Sequence, residues 1–259
     1  MKICVCLKVV PDRNKIIFDP EQGSIRRTKE GSTINPSDLV AFEAAFQLSK
    51  LYNGKVDALC MGPESIASVL RTMFSMGADN IHLLSSPAFR GADVAATAYT
   101  LSCFFKTFEE KYDIIMCGNS SYDGNTGFVG AYLSEKLNLP HVTSVFKING
   151  IHNSELDVVQ RLDDLIQFIK IKMPCLLTIS QDTVHPHTPT LGDTLRARKR
   201  QVKIWNEYSL SELDPSRCGI KGSMTQVKNI TIPKKNLKLS MICENDLNVI
   251  LPLITSNLT

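Results

Sequence analysis

Residues 113–140 read DIIMCGNSSYDGNTGFVGAYLSEKLNLP. Asp113–Cys117 is a short, nearly unbroken apolar run, as expected of a strand covered on both faces. Gly118 to Asn125 is a loop of Gly, Ser, Asn and Asp. A helix is expected from about Thr126 to Asn138, stopped before Pro140. A strand that passes through a glycine-rich loop into a helix is the repeating unit of a parallel sheet.

The same unit recurs upstream. Residues 2–9 form an apolar first strand, and residues 11–33 read as a loop or small hairpin. Asn35 at the N-cap, Pro36 at the first helical position and Gly54 past the end bracket a helix. Val56–Cys60 is a strand, and Gly62-Pro63 opens a helix through Ile66, Val69, Leu70 and Met73 that Gly77 closes. Asn80–Leu84 is the third strand and 93–110 the next helix. Four strand–helix units call for an α/β protein with a mostly parallel sheet and right-handed crossovers. Beyond the quoted stretch, Val142–Ile148, Asp157–Arg161, Gln167–Lys172 and Cys175–Ser180 read as strands with short turns, so the sheet gains antiparallel or mixed edges. Residues 182–195, rich in Pro, Thr and His, read as an irregular loop. From Asn206 no helical period is sustained until about the last fifteen residues. Residues 206–259 are therefore expected to be an extended arm that needs a partner's surface, after a domain spanning 1–205.

Composition removes several function classes. With 43% hydrophobic residues among 259, a sizeable core can form. No apolar run is long enough to span a bilayer, and the N-terminus reads as a strand, not a signal peptide. A formal net charge of +3 does not point to nucleic acid. The eight cysteines lack any CxxC spacing. Cys4, Cys6, Cys60, Cys117 and Cys175 fall in apolar strands as small hydrophobes, which suits a reducing cytoplasm. His185-Pro186-His187 lacks a third ligand at metal-binding spacing and reads as a solvated loop. The basic cluster Arg196, Arg198, Lys199, Arg200 has no interleaved aromatics and reads as a helix end or partner-facing patch. No Ser–His–Asp or Cys–His arrangement suggests covalent catalysis.

In an open parallel sheet, ligands sit outside the carboxyl ends of the strands. Those ends are Lys8–Val10, Met61–Pro63, Ser85–Gly91 and Gly118–Val129. The last is the richest: glycines let backbone N–H groups approach a phosphate, and the helix start that follows favours its charge. Asp123 can accept from a ribose or adenine, or cap the helix. The same composition also suits plain turn chemistry.

Taken together, these blocks resemble the beta (small) subunit of electron-transfer flavoproteins over nearly the whole chain. They are the first strand with Lys8, Ile34-Asn35-Pro36-Ser37-Asp38 with Ala44-Ala45, Met61-Gly62-Pro63, and Arg71 through Asp79 (RTMFSMGAD). Asp123-Gly124-Asn125-Thr126 with Val129-Gly130, and Leu191 with Leu195-Arg196-Ala197, complete the set. The resemblance implies a Rossmann-like fold with helices on both faces and a heterodimer with an alpha subunit, on which the C-terminal arm would pack. It implies a nucleotide contacted by Cys6, Asn35, Pro36, Ser37, Asp38, Met61, Gly118, Asn119, Ser120, Ser121, Tyr122, Asp123, Gly124, Asn125, Thr126, Gly127, Phe128 and Val129. Leu191, Leu195 and Arg196 would recognise a flavin dehydrogenase, such as an acyl-CoA dehydrogenase. The nucleotide is AMP in ordinary carriers and a second FAD in electron-bifurcating ones, where NADH is a substrate.

Three blocks resemble the bifurcating branch: Ala88 through Asp93 with Ala96-Thr97, the DGNT turn, and Gly219 through Ser223 with Thr225-Gln226-Val227. Gly124 and Asn125 in place of acidic residues would relieve the charge opposing a diphosphate. Three departures accompany the likeness. Asn119-Ser120 replace an Arg/Lys-Gln pair, and Asp164-Leu165 replace Gly-Gly. His185-Pro186-His187-Thr188 replace Glu-Pro-Arg-Tyr, which points to an unusual dehydrogenase partner or to a paralogue serving one particular pathway. A stand-alone adenine-nucleotide sensor or hydrolase on the same fold is the reading from another class; it requires a stable monomer.

Overall fold

The computed structural model describes residues 1–12, 17–19, 24–26 and 31–226. After β1 (Lys2–Leu7) come β2 (Val9–Pro11), the antiparallel pair β3 (Ile17–Asp19) and β4 (Ser24–Arg26), and β5 (Ser32–Ile34), which pairs with β2. Then follow α1 (Pro36–Leu51), β6 (Lys55–Met61), the short turns α2 (Ala67–Leu70) and α3 (Thr72–Ser75), β7 (Asn80–Leu84), α4 (Val94–Thr107), β8 (Ile114–Gly118) and α5 (Val129–Leu137). The remainder comprises β9 (His141–His152), β10 (Glu155–Leu162), β11 (Leu165–Lys172), β12 (Cys175–Ile179), α6 (Leu191–Ala197), β13 (Lys203–Trp205) and α7 (Gly219–Gly222).

One nine-stranded sheet organises the chain in the order β11-β10-β9-β12-β8-β1-β6-β7-β13. Strands β12 through β13 in that order run parallel, as does the β9–β12 pair. Within this sheet, among the described residues, only the β9–β10–β11 meander is antiparallel, and it forms one edge. The mixed edge read from the sequence is therefore present, but β12 leaves it and inserts between β9 and β8.

Both faces of the sheet are covered. Along β1, Ile3, Val5 and Leu7 face a core shared with α1, α2 and α3, while Cys4 and Cys6 face a second core under α4 and α5. The period of two in β1 thus serves two hydrophobic layers at once. Cys4, Cys6, Cys60, Cys117 and Cys175 are buried free thiols within these layers, as their strand-like settings predict.

Local differences have local causes. The helix expected from Thr126 begins at Val129, because Asn125 (φ 48°) and Gly127 (φ 69°) hold left-handed conformations that helical residues do not adopt. The helix expected after Gly62-Pro63 divides into α2 and α3 before Gly77 (φ 98°) ends it. Inside the expected irregular loop 182–195, Thr190 and Asp193 form a reciprocal capping box that starts α6. β13 was hidden by its brevity. Its Trp205 indole N–H donates to Nδ1 of the buried His82 at 3.1 Å, fixing the strand beside β7.

The first part of the segment expected to be an arm, residues 206–226, folds back on α4. Leu210 and Cys218 are buried there, the Asp214 N–H donates to the Tyr99 hydroxyl at 2.9 Å, and Thr225 donates to Asp93. Residues Met1–Gln226 form one compact unit. The rest of the expected arm, 227–259, lies outside the described residues. Among the described residues, no helix is long and apolar enough to cross a membrane.

At the amino end of the sheet, Asp57 on β6 is fully buried. It accepts hydrogen bonds from the Tyr112 hydroxyl and the Asn80 amide, each at 2.9 Å, with the Lys2 ammonium 3.4 Å away. Burial opposes its ionisation, but His82, Asn80, Tyr112 and Lys2 outweigh it and hold the carboxyl at about 2. Asp57→Ala strands these partners without their acceptor. It is expected to cost about 3 kcal/mol or more in urea unfolding; a loss below about 1 kcal/mol would show that the fold does not depend on this network.

Candidate functional site

From β1 the chain moves in one direction along the sheet to β6 and β7, then crosses back through α4 to β8 on the other side of β1. The strand order therefore reverses between β1 and β8, and the crevice outside their carboxyl ends is where open α/β sheets hold ligands.

Asp38 lies in the first turn of α1 at that crevice. One carboxylate oxygen accepts from the Lys8 N–H just past β1 at 2.7 Å, and the other accepts from the Gly118 N–H at the end of β8 at 3.2 Å. Burial pushes this carboxyl up to about 7 in spite of those two donors and the Lys8 charge. Gly118 is glycine because of proximity: a Cβ there would lie 2.3 Å from Asp38 Oδ1 and 2.7 Å from the Ser37 carbonyl carbon.

Asn35 occupies the N-cap position but its side chain does not cap α1. It instead tethers the loop, donating to the Ser120 carbonyl at 2.9 Å and accepting from the Tyr122 N–H at 3.4 Å. The Tyr122 hydroxyl donates to the Pro11 carbonyl, and the Gln181 amide donates to the Ser37 hydroxyl at 2.6 Å. Asn119 accepts through Oδ1 from the Ser144 hydroxyl at 3.3 Å. Asp123 does not cap the following helix, whose N-cap is Phe128. It pairs with Lys8 Nζ at 2.7 Å, and Lys8 also donates to the Ser121 hydroxyl at 3.3 Å. Burial opposes ionisation of Asp123, yet the bonds from Lys8 and Ser121 keep it below the usual aspartate value. Asp123, Gly124, Asn125, Thr126, Gly127 and Phe128 form the exposed rim. A Cβ on Gly124 would lie 3.7 Å from the Ser121 hydroxyl and 3.8 Å from Lys8 Nζ, and Gly130 brings α5 onto β12, where a Cβ would meet the Thr178 methyl at 2.6 Å.

The structure thus gathers Asn35, Pro36, Ser37, Asp38 and the loop from Gly118 onward at one crevice. Cys6 is buried opposite Cys117 in the β1–β8 register. Cys6, Met61 and Val129 belong to the core under α4 and α5. Lys8 and Gln181 contact this site without standing among the residues expected there. Lys8 had a signal in its position at the end of the first strand; Gln181, 144 positions from Ser37, had none. Two clefts of about 340 Å³ lie elsewhere, one at Tyr99, Lys136 and Arg217, the other at Phe74, Arg196 and Arg200; neither is lined by the loop.

His187 corrects the expectation of a solvated loop. Its ring stacks on Phe46 of α1 at 4.9 Å, and both its backbone N–H and Nδ1 meet the Glu43 carboxylate, the latter at 2.5 Å. The reason lies in Glu43, a nearly buried carboxylate on α1 that requires partners. Leu191, Leu195 and Arg196 sit on α6; the two leucines are 76% and 50% exposed, one helical turn apart. Arg196 pairs with Asp193 at 2.6 Å.

A doubly covered, mostly parallel sheet with a glycine loop at its switch point defines the open, doubly wound α/β class of protein. The electron transfer flavoprotein domain matches residues 22–210, and the chain belongs to that family. It is 38% identical over 234 residues to an electron transfer flavoprotein subunit beta of Thermoanaerobacterium thermosaccharolyticum, covering 90% of this chain and 88% of the relative. It is 36% identical to the caffeyl-CoA reductase-Etf complex subunit CarD of Acetobacterium woodii, covering 88% and 86%. It is 35% identical to Protein FixA of Azorhizobium caulinodans, covering 90% and 85%. The match is to beta-type subunits of this electron-transport family.

The raised Asp38 carboxyl makes stability depend on pH with a definite sign. Its ordinary value is 3.8 and its folded value about 7, so between these the folded chain holds a proton that the unfolded chain has released. The stabilisation is full below about pH 4 and is lost as pH rises through about 7. Urea unfolding at pH 5 and pH 8 should show the wild type losing roughly 1–4 kcal/mol more than Asp38→Asn over that interval. Equal losses would remove Asp38 as the titrating group.

Proposed function

We propose that this chain is the small subunit of a heterodimeric electron-transfer flavoprotein, holding FAD at the crevice between β1 and β8. With its alpha subunit it would pass electrons between a dehydrogenase or NADH and an acceptor, in the manner of an electron-bifurcating carrier. The observation that carries this reading is the assembly of Lys8, Asn35, Ser37, Asp38 and the loop Gly118–Val129 at the topological switch point. The relatives' names add support, since one belongs to a reductase-Etf complex. A cytoplasmic setting is part of the reading, and the free buried thiols fit it.

The donor set suits a nucleotide phosphate. Gly124, exposed and without a side chain, lets a phosphate approach the backbone, and Lys8 supplies a positive charge beside it. The flavin when bound supplies the redox step. The chain's part is to anchor the phosphate end, to fix the loop through Asn35 and Tyr122, and to keep the strand ends beneath it dry by burying Cys6 and Cys117. Exposed Leu191 and Leu195 on α6 would meet the dehydrogenase, such as an acyl-CoA dehydrogenase, and residues 206–259 would contribute to the alpha-subunit interface.

Co-purification with the large subunit, followed by denaturation and chromatographic identification of released nucleotides, tests this. Two flavins per heterodimer are expected. One flavin with AMP would replace FAD by AMP in this site and remove bifurcation. A stable monomer with ATPase activity would overturn the carrier reading altogether.

A further inference from the structure

The loop 118–129 contains no Lys or Arg, and Asn119-Ser120 stand where the resemblance places a cation. A cation nevertheless reaches the loop from another element. The Lys8 backbone is fixed by its N–H bond to Asp38 and by its carbonyl, which accepts from the Asn35 N–H at 2.8 Å. Its side chain runs over the loop to Asp123 and Ser121, and Nζ lies 3.8 Å from the point where a Cβ on Gly124 would sit. An oxyanion approaching the Gly124 backbone therefore comes within reach of this ammonium.

The Lys8–Asp123 pair is half open to solvent, with side chains 48% and 33% exposed, and such pairs add little to stability. The fold has other means of holding the loop, through Asn35, Tyr122 and Asp38. The pair is thus placed where it affects ligand charge more than folding.

The geometry points to Lys8 as the phosphate-binding cation of this site, with Asp123 as an internal counter-ion that the ligand phosphate displaces. This rests on the nucleotide reading above and adds a selectivity to it. The site favours ligands by the charge at their phosphate end, because only an anion repays separation of Lys8 from Asp123. Asp123 holds Lys8 in the ligand-free chain and lowers affinity by competing for it. The cation missing from the start of the loop is replaced from the end of β1.

The test uses the full chain with its large subunit, freed of nucleotide and titrated calorimetrically with AMP, adenosine and FAD. Lys8→Met is expected to weaken AMP about 10-fold or more while changing adenosine by less than about 2-fold. Lys8→Arg, which keeps the charge, should retain most of the AMP affinity. Asp123→Asn should raise the affinity for AMP relative to adenosine by a few-fold. AMP affinity in the wild type should fall with added salt more steeply than in Lys8→Met. Equal loss of AMP and adenosine in Lys8→Met would mean a structural role and overturn the inference, as would a lowered affinity for AMP relative to adenosine in Asp123→Asn. If the wild type binds AMP and Lys8→Met binds it equally, the inference fails while the nucleotide reading stands. If the wild type binds no AMP, no adenosine and no second FAD per heterodimer, the nucleotide reading fails, and this inference with it.

Discussion

The Asp38 carboxylate, shared between the backbone N–H groups of Lys8 and Gly118, is the contact on which the site depends. Two neighbouring parallel strands, β1 and β8, end at the same height, and their last N–H groups point at one place. A buried carboxylate from the first turn of α1 satisfies both, where water would otherwise have to enter. The arrangement requires that nothing project from Gly118, since any Cβ would collide with Asp38 and Ser37. It also sets where the following loop leaves the sheet, and hence where its backbone donors are presented.

The same helix carries the contacts that organise the segment leading to α6. Ser37 receives the Gln181 amide, and farther along α1 Glu43 and Phe46 hold His187. The segment after β12, which leads to Leu191 and Leu195, is therefore mounted on the helix that begins at the β1–β8 crevice. Residues 206–226 are fixed separately, against α4 on the opposite face, through Tyr99, Asp93 and the buried Leu210 and Cys218. One face of the sheet thus carries α1 and the segment leading to α6, the other carries the start of the C-terminal segment, and the crevice lies at the strand ends between α1 and α5.

Much of the fold was legible because it repeats short-range signals. Apolar runs such as Cys4–Leu7 and Ile114–Cys117 mark doubly covered strands, and Pro36, Gly77 and Asn138 mark helix limits through their own backbone preferences. β13 and α6 were less legible. The first is three residues long and exists because Trp205 finds His82; the second begins in a Pro- and Thr-rich stretch whose capping box outweighs its composition.

By itself, the sequence determined the alternation of strand and helix, the family, and the glycine loop after the fourth parallel strand. These follow from periodicity and turn chemistry, which act between residues close in the chain. The tertiary structure decided what each polar residue in the crevice does. Asn35 and Asp123 are each at home at a helix start, yet their side chains turn to partners 85 and 115 positions away. Lys8 met Asp123 and Ser121 only when β1 and β8 were placed side by side. Such roles depend on which strand ends meet and which polar groups are buried together, and pairing over those separations leaves no periodic trace in the sequence.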